Sequence, residues 1–251
     1  MKKLDVLSQN SIPISERHEL PKPMLHKLYR FLSTFYHVGN EEELRFIFKL
    51  QPQEEAEITA LYGMNDDLAG FTHTRKQHIS WGGKKIITYL SFIYHHPDYK
   101  ILANSSQMGL NHIMSDTLQH PQEEIYYIAA ANTPSTYEYL SQISDAIYPS
   151  PLTPVPERIA GIVHELKKNY GWVDYNSHPM VINSPLLPIR SRTPVYDDEN
   201  TLNDFFISTN PDYLQGQSLL VYLPLESLNM NMHDPNTQHH QHCFYGPDLR
   251  V

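Results

Sequence analysis

Between Ala56 and Tyr94 the chain carries three successive segments of strand character, Ala56 to Met64, Leu68 to Ser80 and Lys84 to Tyr94. They are broken only by Asn65-Asp66-Asp67 and by Gly82-Gly83. Both interruptions have the loop chemistry that joins antiparallel neighbours. A three-stranded meander is therefore predicted.

The flanking segments are mostly helical. Met24 to Val38 places Leu25, Leu28, Leu32 and Phe35 on one stripe, an amphipathic helix with Gly39 as its stop. Leu44 to Gln51 alternates apolar and polar residues, which predicts a strand, with the end of a second helix as the alternative. After the meander, Ser105 or Ser106 is placed to cap a helix running to about Leu118. Glu124 to Ala131 contains the apolar run IYYIAAA, suited to a fully buried strand. A strand, helix and strand in this order imply that 84–94 and 124–131 run parallel. Asn132 and Thr133 end the buried strand, and Pro134 opens a helix carrying Tyr137, Tyr139, Leu140 and Ile143. Further on come a helix from Glu157 to Tyr170, a short helix from Thr201 to Ile207, and a strand from Ser218 to Leu223.

Charge and cysteine content narrow the function classes. The formal charge of −9, without a block of Lys or Arg, argues against a nucleic-acid partner. The single cysteine, Cys243, excludes an internal disulfide. No apolar run is long enough to suggest a membrane span, and a cytoplasmic protein is expected. No P-loop, Rossmann glycine run or G-x-S-x-G elbow occurs, so NTPase, dehydrogenase and hydrolase readings lose their usual handles.

Four stretches carry a family resemblance: YLSFIYHHPDY (89–99), SSQMGLNHIM (105–114), IYYIAAAN (125–132) and TPSTYEYL (133–140). They resemble the GNAT superfamily of N-acyltransferases over roughly residues 56 to 145. TYEYLSQISDAIYPSPLTPVPE (136–157) and DFFISTNPDYLQGQSLLVYLPL (204–225) look like a bacterial GNAT-like family with a longer C-terminal half. The resemblance implies a mixed α/β fold, its sheet mostly antiparallel with a central parallel pair splayed into a V and helices on both faces. Residues 1–150 would form the acyl-CoA-binding core. Residues 151–251 would be a C-terminal extension packed on the same domain, with a flexible His-rich tail from about 230.

The same resemblance implies transfer of an acetyl or other acyl group from CoA to the amine of a small molecule, by direct attack, in a monomer or homodimer. Acetyl-CoA or another acyl-CoA would be the co-substrate, its pyrophosphate held by Ser105, Ser106, Gln107, Met108 and Gly109 at a helix N-terminus. Its arm would run along the backbone of Phe92, Ile93 and Tyr94, with Asn132 opposite. Tyr139 would protonate the leaving thiolate, and His95 is the candidate base for the amine, with Glu54, Glu55 and Glu57 as other candidates. Each residue also has a structural reading: Tyr139 as core, Asn132 as a helix cap, His95 and His96 as a solvated pair. The family's loop of Arg or Gln, Gly, and Gly or Ala is represented here by Ser106, Gly109 and Asn111. On that departure rests the alternative, a GNAT-like binding or interaction module without chemistry. The cluster of His233, His239, His240, His242 and Cys243 lacks the spacing of a zinc site, and no metal is expected.

Overall fold

A computed structural model describes residues 4–15, 18–99, 110–144, 146–172, 178–190 and 200–228. In chain order the elements are β1 (Ser8–Ile14), α1 (Lys22–Phe35), β2 (Tyr36–His37), α2 (Glu41–Ile47), β3 (Glu55–Tyr62), β4 (Leu68–Trp81) and β5 (Lys84–His95). They continue with α3 (Leu110–Gln119), β6 (Ile125–Ala131), α4 (Pro134–Ile143), α5 (Glu157–Tyr170), β7 (Val181–Asn183), β8 (Leu187–Pro188), α6 (Thr201–Thr209) and β9 (Gln217–Leu223).

Seven strands form one sheet in the order β1-β3-β4-β5-β6-β9-β7. The meander β3-β4-β5 is antiparallel, as its turns require. Trp81 pairs with Lys84, leaving Gly82 and Gly83 as a two-residue loop, at φ of 57° and 77°. Left-handed backbone at both central positions is what a right-twisted hairpin needs, and glycine adopts it without steric cost. β5 and β6 are the parallel pair, and β9 enters between β6 and β7 by antiparallel pairing on both sides. The fold is thus mixed α/β, mostly antiparallel, with one central parallel pair.

Helices cover both faces. Arg75 and Lys76 are neighbours on β4 and so project to opposite sides. Lys76 meets Asp116 of α3, whereas the Arg75 guanidinium lies 5.6 Å from the Tyr170 ring of α5. On the Arg75 side, α1 buries Met24, Leu25, Leu28, Phe31 and Leu32, the spacing of one helical stripe. Phe31 meets Phe71 of β4 edge to face at 5.7 Å. α5 buries Ile159, Ile162, Val163 and Leu166 and ends at Gly171 in the left-handed conformation, as expected.

Three differences from the sequence reading have physical causes. The segment around Leu44 is helical, not extended. Asn40 Oδ1 accepts from the Glu43 amide at 2.9 Å, and Glu41, Glu42 and Glu43 sit in the first turn, where the helix dipole favours negative charge. Those start signals outweigh the alternation. α1 stops at Phe35 rather than at Gly39, because Tyr36 and His37 leave the helix to pair with Pro188 and Leu187. β1 was not foreseen: SQNSIPI lies on the sheet edge, mostly exposed, and lacks the apolar alternation that marks a half-buried strand. The expected N-terminal turn of the helix at 105–109 lies outside the described residues, which resume at Leu110.

Candidate functional site

The parallel ladder between β5 and β6 runs from Ile87 opposite Ile125 to Phe92 opposite Ala130 and then ends. Beyond that point each strand keeps its outer neighbour. Ile93, Tyr94 and His95 stay paired with Thr72, Phe71 and Gly70 of β4, while Ala131 stays paired with Leu219 of β9. The ladder thus stops one residue before β6 ends and three before β5 ends, at the C-terminal side where open sheets of this kind expose backbone and loops. Beyond the end of this ladder lies a small cleft, about 50 Å³ in volume and partly open to solvent.

β5 contributes His95, and β6 with the start of α4 contributes Asn132, Thr133 and Ser135. Tyr36 and Pro188 of the small β2-β8 pair close one side, with Ser184 and Leu186 beside them, and Tyr213, Gln217 and Ser218 close another. Hydroxyls, amides and short apolar groups dominate. Among the described residues that line the cleft there is no Asp, Glu, Lys or Arg.

Asn132 is held from two directions. Its Nδ2 donates to the Tyr36 hydroxyl at 2.7 Å, and its Oδ1 accepts from Thr136 Oγ1 at 3.2 Å. The helix cap belongs to Thr133, whose Oγ1 accepts from the Thr136 amide at 3.2 Å. Tyr36 also meets Tyr94 edge to face at 5.6 Å. Tyr94 stacks on Phe71 at 4.8 Å, and burial pushes its hydroxyl pKa well up.

Of the expected site residues, the cleft thus brings together His95 and Asn132. Phe92, Ile93 and Tyr94 have buried side chains, and only Phe92 still belongs to the parallel ladder. Tyr139 is 6% exposed within the main core, off the cleft lining. It shares a helical face with Ser135, one turn further along α4. Ser105, Ser106, Gln107, Met108 and Gly109 lie outside the described residues, as does the His-rich tail.

The three glutamates lie elsewhere. Glu54, 2% exposed, sits 3.4 Å from Arg75 and accepts from the Gln51 amide and the Tyr170 hydroxyl. Arg75 in turn donates to the carbonyls of Ile47 and Lys49 at 3.1 and 3.0 Å. Glu55 and Glu57 line a separate cleft with Lys76, Tyr89 and His112, where Asp116 binds both Lys76 and the Tyr89 hydroxyl. The lysine and tyrosine contacts hold the Asp116 carboxyl below the usual range, although burial opposes them most strongly.

Sequence reasoning missed Tyr36, Ser135, Ser184 and Ser218. Ser218 is placed by sequence only as far as its strand, where it shares a face with Leu220 and Tyr222. Among the described residues no cluster of three His, Cys, Asp or Glu could hold a metal, and no helix is long and apolar enough to cross a membrane.

No protein-family model and no curated protein matches the chain. Among solved structures it is similar to a conserved protein of unknown function from Enterococcus faecalis V583, a candidate N-acyltransferase, at TM-score 0.38 and 10% identity. That match covers 55% of this chain but 32% of the other, so the chain spans about a third of that protein. It is also similar to a candidate acetyltransferase from Acinetobacter baylyi ADP1, at TM-score 0.36 and 13% identity, covering 88% of this chain and 94% of that one. At such scores the functional reading rests on this chain's own residues.

Proposed function

We propose that the cleft beyond the end of the β5-β6 ladder is the site of acyl transfer from an acyl-CoA thioester to the amine of a small molecule. The observation that carries this reading is the cleft's position and lining: it opens where the parallel ladder ends, is furnished with hydroxyl and amide groups, and has no Asp, Glu, Lys or Arg among its described residues. Such a lining suits a neutral chain that alternates amides with methylenes, as the pantetheine arm of CoA does. The flank of β5 at Ile93 and Tyr94, beyond the end of the β6 ladder, has no strand partner among the described residues and offers backbone groups to it.

Bound acyl-CoA supplies an activated acyl group. On the protein side, His95 lines the cleft and takes the proton that the acceptor amine loses on attack. Tyr139, on the same face of α4 as Ser135, holds a proton for the leaving sulfur. No enzyme nucleophile is needed. Residues 1–150 supply the donor-binding core in this reading, and residues 151–251 extend the same domain, contributing Ser184, Gln217 and Ser218 to the cleft wall.

Isothermal titration with acetyl-CoA and longer acyl-CoAs, with thermal melts alongside, tests the proposal. Saturable heat and a rise in melting temperature are expected. No heat and no shift at millimolar ligand would remove it.

One observation favours a second reading. Asn132, expected to hold the arm, is instead bonded to Tyr36 and Thr136, as a binding module without chemistry would allow. A chain that binds acyl-CoA yet transfers no acyl group to any of a panel of amines would favour that module.

A further inference from the structure

The wall of the cleft contains a buried polar atom that has no partner among the described residues. Ser218 is 1% exposed, and its Oγ has no hydrogen-bond partner among the described residues. Buried hydroxyls are nearly always paired, so an orphan calls for an explanation.

Its position supplies one. Ala131 pairs with Leu219, and continuing that antiparallel register by one step sets Asn132 opposite Ser218. Residues opposite one another in such a ladder project from the same face. Ser218 therefore emerges on the side where Asn132 reaches Tyr36, and both residues line the cleft. The neighbouring groups are engaged: Asn132 with Tyr36 and Thr136, and the Thr136 amide with Thr133. The Ser218 hydroxyl is not.

We infer that Ser218 is a ligand-binding residue of this cleft, its hydroxyl donating to an amide carbonyl of the arm that carries the acyl group. The inference rests on the acyl-CoA reading above and assigns one contact within it. A neutral carbonyl is the fitting partner because, among the described residues, no lysine or arginine lines the cleft to balance an anion. The role that the sequence reading gave to Asn132 is thereby shared with, or passed to, the residue across the ladder.

The test is Ser218→Ala in the full chain, titrated with acetyl-CoA, with pantetheine, and with adenosine 3′,5′-bisphosphate, which has no arm. Removing an unpaired buried hydroxyl should leave the melting temperature unchanged or raise it. Affinity for acetyl-CoA and pantetheine should fall about tenfold, the scale of one hydrogen bond. Affinity for the bisphosphate should not change. Equal affinity of wild type and variant for pantetheine would overturn the inference while leaving the donor site in place. A marked drop in melting temperature would show the hydroxyl to be structural and would also overturn it. Wild-type protein that binds neither acetyl-CoA nor pantetheine would remove the function and this contact together. Ser218→Cys, nearly isosteric and a weak donor, serves as the second variant and should show the same selective loss.

Discussion

The Asn132 side chain donates to the Tyr36 hydroxyl over 2.7 Å, tying the end of β6 to a residue 96 positions earlier in the chain. Both residues line the cleft, so a ligand that uses Asn132 competes with Tyr36 for it. Tyr36→Phe keeps the ring against Tyr94 and removes the hydroxyl that accepts from Asn132. Acetyl-CoA affinity is expected to rise several-fold, while urea denaturation shows a loss of about 1 kcal/mol. Unchanged affinity would mean that the Asn132 amide takes no part in binding.

Tyr139→Phe separates packing from proton donation. The ring keeps its place in the core, where Tyr139 is 6% exposed. Turnover with an accepted amine should fall roughly 10²- to 10⁴-fold, the usual range for losing a general acid, with acetyl-CoA affinity unchanged. A variant with near-normal turnover would confine Tyr139 to the core.

Glu54→Ala leaves the Arg75 guanidinium buried with carbonyls but without its counter-charge. Breaking one side of a buried ion pair costs about 3–5 kcal/mol, so urea midpoints should fall sharply. Glu57→Ala, whose carboxylate accepts from Ser11 and Thr59 near the surface, should cost about 1 kcal/mol or less. Similar losses for the two would contradict the buried assignment.

His73 gives the fold an acid-side weakness. It is 3% exposed, its Nε2 lacks a partner among the described residues, and burial, with a smaller contribution from Arg75, holds its pKa well below the ordinary value of 6.5. Below about pH 6.5 the unfolded chain takes up a proton that the folded chain refuses. Stability is therefore full above that pH and falls by about 1.4 kcal/mol per unit as pH drops towards the folded value. Urea titrations at pH 7.5, 6.5 and 5.5 should show this slope in wild type and a shallower one in His73→Gln. The remainder in the variant comes partly from His78 and His178, whose pKa values burial also lowers. Parallel slopes would assign the effect elsewhere.

Periodicity made some elements legible. The Glu157 to Tyr170 helix, its Gly171 stop and the hairpin at Gly82-Gly83 follow from local patterns strong enough to survive packing. α2 did not, since its alternation imitates a strand while its cap and acidic first turn decide for helix. β2 and β8 have two residues each, too few to leave a pattern. The cleft was half legible for a related reason. His95 and Asn132 stand at strand ends, which sequence can locate. Tyr36 reaches Asn132, and Ser218 comes into the same cleft, only through long-range pairing, which no window of sequence contains.

The placement of β9 between β6 and β7, after both in the chain, also bears on how the molecule is assembled. During synthesis the ribosome releases both borders of that slot before the strand that fills it. Until residue 223 emerges, one edge of β6 stays unsatisfied and the wall holding Ser218 does not exist. The cleft is thus completed late, and a nascent chain stalled ahead of Gln217 presents a sticky strand edge that invites pairing with its neighbours on the polysome.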